Sequence, residues 1–324
     1  MSLLERELLV VTGKGGVGKT TLATALAMLA AERGLRTIVV EMGEQARVPE
    51  LFGLPAGEPG METRLRERLW SISIDPDRAL LEWLQALGGR VSGRVLASSN
   101  TFQYFAAAAP GAKELVSMVK IWDLTQAKRR RGRSYDLVVL DAPATGHALG
   151  LLDSPRTFGA IARVGPIAGQ ADRLSKLLED PARCSYVAVA HPTEMAITET
   201  LELQERLHDQ LGRELDAVIV NGVLPQRFSG PELERLGPLP DGDANGGTSA
   251  RGEGRRRTTA TATAVRRSAL VAAHSVSDRA RFQHNQIARL RRRKFEVIGV
   301  PFQFAAKLDL EAVGAIAEHL RRKL

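Results

Sequence analysis

Residues 13–20 read Gly-Lys-Gly-Gly-Val-Gly-Lys-Thr, a spacing that can hold a chain of phosphates. Gly13, Gly15, Gly16 and Gly18 let successive backbone N–H groups, those of Lys14 and Val17 among them, converge on one anion. A helix start immediately afterwards adds a favourable dipole. In such a loop Lys19 reaches the β- and γ-phosphates of a nucleoside triphosphate, the Thr20 hydroxyl ligates Mg²⁺, and Thr21 extends the cradle into the helix. Lys14, directly after the first glycine, is a second cation at the same place. The natural partner for the metal is a carboxylate ending a neighbouring strand, and Leu137-Val138-Val139-Leu140-Asp141 offers one. Ala142-Pro-Ala-Thr-Gly-His147 follows it. Proline and glycine beside a metal-holding strand suit a loop that changes shape with the γ-phosphate, whereas His147 reads equally well as a structural histidine in a tight turn.

These groups need a scaffold that brings strand ends together. The phosphate loop follows the apolar run Leu8–Val11 and leads into Thr21–Ala27, which is rich in helix formers. Further runs at Thr37–Val40, Leu137–Leu140, Tyr186–Ala190, Ala217–Val220 and Phe295–Val300 lack polar alternation, as strands buried on both faces do. Helix-like segments separate most of them, for example Thr193–Leu211. The pattern predicts an α/β fold, a P-loop nucleotide-binding architecture whose mostly parallel central sheet is flanked by helices, with ligand at the strand carboxyl ends. The gap between the second and third runs is too long for a simple crossover. Residues 51–130 therefore read as an inserted helical subdomain, leaving 1–50 and 131–324 as the nucleotide-binding domain. Within the insert, Leu115, Met118, Val119 and Trp122 form one helical stripe, and Ala79, Leu80, Trp83, Leu84 and Leu87 another. Each is either core or an apolar groove for a helical client. Residues 238–264 carry too little apolar side chain to offset their ordering entropy and read as a disordered loop. A helix is expected from about Ser277 to Arg293. Leu310–Leu324, with Val313, Ile316 and Leu320 on one face, reads as a terminal core helix rather than a membrane anchor.

Composition narrows the function classes. The 324-residue chain has a single cysteine, Cys184, which excludes an intrachain disulfide and a Cys-x-x-Cys metal knot within one subunit. No apolar stretch is long enough to span a bilayer, and Glu5 and Glu7 interrupt any signal-like start, so a cytoplasmic location is expected. The net charge of +8 is concentrated: residues 251–294 hold 13 Arg or Lys against Glu253 and Asp278. Arg255–Arg257, Arg266–Arg267 and Arg291–Lys294 are either a solvated tail and helix end or a phosphate-contacting surface for nucleic acid.

The glycine-rich loop with its extra Lys14 resembles the deviant P-loop of plasmid-partitioning, septum-positioning, nitrogenase iron-protein and arsenite-pump ATPases. Asp141–Leu149 is similar to the second switch of the arsenite-pump (ArsA) and tail-anchored-protein-targeting branch. Leu69–Leu80, Ala109–Glu114, and His191-Pro-Thr-Glu194 with Glu199-Thr200 resemble other marks of that branch, in the same order. The resemblance implies ATP with Mg²⁺ as bound species and a homodimer or paralogue heterodimer. It implies that Lys14 reaches the partner's nucleotide, that Asn221 reads adenine, and that Phe295–Pro301 is the closing strand and base loop. Hydrolysis would then gate capture of an apolar client.

The match fails at the first switch. The branch has an aspartate there that positions the attacking water, and Gly43 stands at its place. Glu41 or Glu44 can supply the missing carboxylate, or both are solvated loop charges. The lone cysteine likewise removes thiolate arsenite binding, the shared zinc of eukaryotic targeting factors and a bridging iron–sulfur cluster. Three readings follow: a slowly hydrolysing, client-carrying ATPase, a partitioning- or septum-type ATPase on DNA or a membrane surface, and a degenerate ATP-binding subunit of a heterodimer.

Overall fold

The structure is a computed structural model that describes residues 3–43, 46–87, 111–126, 135–161, 166–236, 253–305 and 308–324. Its centre is an eight-stranded sheet. The strands are β1 (Leu8–Gly13), β2 (Thr37–Met42), β3 (Thr63–Arg66), β4 (Leu69–Ile74), β5 (Leu137–Ala144), β6 (Cys184–Ala190), β7 (Ala217–Val223) and β8 (Glu296–Pro301), in the order β3-β4-β2-β5-β1-β6-β7-β8. Every pairing is parallel except β3 with β4. The six runs recognised by their continuous apolar character fall on strands, except that Phe295 of the last one precedes β8. Side-chain alternation splits each central strand between two cores, with Leu8 and Val10 on one face and Leu9 and Val11 on the other.

One face is covered by α1 (Lys19–Glu32) and the C-terminal helix α10 (Leu310–Arg321), whose Val313, Ile316 and Leu320 are fully buried, as a core helix requires. The other face carries α3 (Pro76–Leu87), α4 (Ala112–Thr125), α5 (Thr145–Ile161), α6 (Pro166–Glu179), α7 (Glu194–Leu211) and α9 (Glu253–Leu290). The short helices α2 (Val48–Leu51) and α8 (Gly230–Leu236) and a 3₁₀ turn at Leu3–Glu5 complete the described elements.

The span 51–130 is not wholly helical. β4 pairs with β2 from Thr37↔Leu69 to Met42↔Ile74 and extends the sheet, with β3 as its antiparallel edge. Leu-Trp-Ser-Ile-Ser-Ile alternates in the manner of a strand near a sheet edge, a weaker signal than an unbroken apolar run. Of the two helical stripes, Leu115, Met118, Val119, Ala79 and Leu80 are buried and Trp83 and Trp122 pack partly against the same core. They serve as core, not as an open groove; the side chains of Leu84 and Leu87 lie outside the described residues.

The expected disordered segment 238–264 lies outside the described residues as far as 252. From Glu253 onward, however, the backbone is helical, so α9 begins well before the expected Ser277. No glycine or proline interrupts residues 255–290, and alanine is frequent, so a helix anchored by buried Ala280, Ile287 and Leu290 propagates backwards.

Candidate nucleotide site

The carboxyl ends of β1, β5 and β2 are adjacent, and each delivers one part of the site. β1 ends at Gly13, where a Cβ would lie 2.1 Å from the Val189 carbonyl oxygen of β6, so only glycine lets the loop leave there. Gly18, at φ 91°, caps α1, and a Cβ on it would meet the Asn221 amide nitrogen at 2.6 Å. Between these two tight contacts, a Cβ on Gly15 or Gly16 would meet nothing within 4 Å. The loop is thus pinned at both ends and open in the middle, the shape of an anion cradle. Val17 is buried beneath it, and Thr21 is half-buried in the first turn of α1.

Lys19 Nζ arches back to donate to the Lys14 carbonyl oxygen at 3.1 Å. Burial lowers its pKa, and the Asp141 charge partly opposes this. Thr20 Oγ1 donates to Asp141 Oδ2 at 2.5 Å. The other carboxylate oxygen, Asp141 Oδ1, is buried without a hydrogen-bond partner. Burial raises the Asp141 pKa, while the Thr20 bond and the Lys19 and Arg47 charges hold it down. An orphaned carboxylate oxygen beside a threonine hydroxyl is a hard-oxygen pair that fits Mg²⁺, an ion that otherwise keeps its waters and takes ligands from phosphate. Among the described residues there is no cluster of three or more His, Cys, Asp or Glu that would favour another metal.

β2 runs beside β5 with Glu41 in register with Asp141. Glu41 is buried, not solvated. Its Oε1 accepts from the Arg47 backbone N–H at 2.8 Å and its Oε2 from that of Val48 at 3.1 Å, capping the start of α2. Burial pushes its pKa up to about 7 against the pull of those two N–H groups, with Asp141 adding to the rise. Gly43 is tied to β4, its N–H donating to the Ile74 carbonyl at 3.0 Å and its carbonyl accepting from Ser73 Oγ at 2.6 Å. Glu44 lies outside the described residues. Lys19, Thr20, Glu41, Met42, Gly43, Arg47, Asp141, Ala142 and Pro143 together line a cavity of about 490 Å³.

The remaining expected residues fall around this centre. Lys14 does not point at the cradle: its Nζ lies 2.6 Å from Glu199 Oε1 and 2.8 Å from Met195 Sδ, both on α7. Asn221 donates its side-chain amide to the Val17 carbonyl oxygen at 2.9 Å, and its own carbonyl oxygen lies 3.1 Å from His191 Nδ1. Pro301 ends β8 in register with Val223. Beside it, His191, Gly222, Leu224, Arg227, Phe302 and Phe304 help to line a largely apolar cavity of about 770 Å³. The segment expected to loop out after Asp141 does not: β5 continues through Pro143 to Ala144, α5 starts at Thr145, and His147 is exposed in its first turn. Sequence reasoning passed over Arg47, Phe302 and Phe304. Their positions just beyond strand carboxyl ends, where α/β sheets bind ligands, were the available signal.

A sequence profile of the anion-transporting ATPase family matches residues 6–170 and 161–235. The chain is 29% identical over 235 residues to ATPase BagA of Mycobacterium tuberculosis, covering 70% of this chain and 68% of that protein. It is 27% identical over 236 residues to the arsenical pump-driving ATPase of Escherichia coli, covering 67% of this chain and 39% of the relative. The protein of that name from Acidiphilium multivorum is 26% identical over 234 residues, with 67% and 40% covered. The chain thus spans less than half the length of both pump-driving enzymes. The family match covers more than half of the chain, including residues 13–20, Asp141 and Asn221, so this chain belongs to the anion-transporting ATPase family.

Proposed function

We propose that the protein binds ATP with Mg²⁺ at this site and hydrolyses it slowly, closing as a dimer around the nucleotide. The observation that carries the reading is the meeting of an open backbone cradle, Lys19, Thr20 and the unpartnered Asp141 Oδ1 at one cavity. Main-chain N–H groups of residues 14–19 hold the phosphates, and Lys19 trades its contact with the Lys14 carbonyl for phosphate oxygens. Thr20 and Asp141 Oδ1 hold Mg²⁺, which screens the negative charge that must gather on the phosphates during transfer. The base lies towards Asn221 and the cavity lined by Phe302 and Phe304, whose faces suit a flat heterocycle.

Dimer closure rests on the position of Lys14. It sits on the rim, 38% exposed, next to Met195, which is 64% exposed. A cation and an apolar side chain together on the lip of a phosphate site suit a face that meets a second copy or a paralogue. There Lys14 leaves Glu199 for the partner's phosphates. Gly43 cannot orient water, so turnover is slow and ATP acts chiefly as a timed clamp. Gating of an apolar client remains part of this reading through the family alone, because the described apolar stripes of 76–125 are already buried.

Calorimetry with ATP in the presence and absence of Mg²⁺, together with mass measurement of the assembly, tests the reading. Wild type is expected to bind ATP and dimerise. Lys19→Ala loses binding by at least about 100-fold while retaining its helical spectrum, and Asp141→Asn loses the Mg²⁺ dependence. A Lys19→Ala protein that still dimerised on ATP would contradict it.

A further inference from the structure

The cavity that takes the phosphates carries a cation that the glycine loop does not account for. Arg47 lines it together with Lys19, Thr20 and Asp141, and is exposed. Among the described residues its guanidinium has no hydrogen-bond or ion-pair partner, in contrast to Lys14, which Glu199 already holds.

Its backbone, by comparison, is fixed with care. The loop from Gly43 to Arg47 is tied at one end to β4 through the Ile74 carbonyl and Ser73 Oγ. At the other it is tied to buried Glu41 through the N–H groups of Arg47 and Val48. Glu41 is the register neighbour of Asp141, so the carboxylate that fixes Arg47 belongs to the same strand-end platform as the metal-holding one. A buried carboxylate committed to holding a backbone, with the arginine it fixes lining an anion-binding cavity, is the construction of a preorganised phosphate contact.

We infer that Arg47 is a phosphate-binding residue supplied in cis, which pairs with the terminal phosphate of ATP and lets the site distinguish ATP from ADP. Glu41 is its positioning residue. The inference rests on the nucleotide reading above and adds a residue, and a selectivity, to it. The main-chain cradle holds the phosphates that ATP and ADP share, whereas Arg47 comes from the segment after β2 and lines the same cavity near enough to Asp141 for its charge to act on that carboxylate. Where the family's aspartate is replaced by Gly43, the loop thus contributes a positive charge four residues later. That charge favours holding the triphosphate over activating water, and so strengthens the clamp.

The test is calorimetry on the full chain with Mg²⁺, comparing ADP with a non-hydrolysable ATP analogue. Arg47→Ala and Arg47→Gln are expected to weaken the analogue at least tenfold and ADP less than twofold, with Arg47→Lys recovering part of the difference. Glu41→Gln, which keeps one acceptor oxygen, reduces the preference for the analogue partially at unchanged ADP affinity. Equal weakening of both nucleotides by Arg47→Gln, or of neither, overturns the role of Arg47. If wild type bound no nucleotide at all, the site reading itself would fall and this inference with it. If wild type binds and only the selectivity is insensitive to residue 47, the site reading stands alone.

Discussion

At the scale of single residues, the two carboxylates at the ends of β2 and β5 divide the labour of the site. Asp141 leaves one buried oxygen without a hydrogen-bond partner, and Glu41 spends both of its own on backbone N–H groups. The difference has a measurable signature. Folding raises the Glu41 pKa from 4.5 to about 7, so the folded state binds more protons than the unfolded one between those values. Stability contributed by this group is therefore present below about pH 4.5 and lost as pH rises through 7, a change of order 3 kcal/mol at most. Denaturant titrations at a series of pH values should show that decline in wild type and a flatter profile in Glu41→Gln; parallel profiles would contradict the shift. The glycines divide in a similar way. Gly13→Ala, with its Cβ 2.1 Å from a carbonyl oxygen, should destabilise by about 3 kcal/mol, while Gly15→Ala, facing open space, should stay within about 0.5 kcal/mol. Chemical denaturation of the two variants distinguishes them directly. The cradle, Lys19, Thr20 and Asp141 were legible in the sequence because each is forced by phosphate and metal chemistry at fixed spacing. Arg47 was not, because its place at the cavity comes from a backbone hydrogen bond to Glu41 six residues earlier, and no local pattern encodes that.

At the scale of elements, the helix that follows β6 does more than fill space. The N-terminus of α7 is capped by Thr193, whose side chain accepts from Ala196, and two turns of this helix present Met195 and Glu199 to Lys14. Both members of the ion pair are about one-third exposed, so its contribution to stability is under about 1 kcal/mol. On the dimer reading proposed above the pair is a competitor, since Lys14 would have to leave Glu199 before it could serve a neighbouring phosphate. Glu199→Gln should lower the ATP concentration needed for dimerisation by a few-fold with little change in melting temperature, which sedimentation at graded ATP would reveal. An unshifted midpoint would mean that the pair is incidental. Elements were readable to the extent that their burial was uniform. β1, β5, β6 and β7 are apolar on both faces and stood out, whereas β4 alternates and was absorbed into the helical insert. The early start of α9 was missed because threonine and alanine give it little apolar weight, although nothing in that stretch breaks a helix.

At the scale of the molecule, the sheet separates two cores, and its one thiol is fully buried in one of them. Cys184 starts β6 in register with Leu8, and burial pushes its thiol pKa up to about 12. Below that value the group is neutral and enclosed, so a thiol reagent should label it only when the sheet opens. Labelling rates across a denaturant series are expected to follow global unfolding; fast labelling in native buffer would show that β6 opens locally. Among the described residues no helix is long and apolar enough to cross a membrane. The face behind the phosphate loop is closed by α10, which lies on α1 and is tied to it by the Arg321–Glu32 pair. α1 and the helix that covers it stand far apart along the chain. A chain cut before residue 310 would therefore leave the outer side of α1 uncovered and apolar, a surface prone to stick to other molecules.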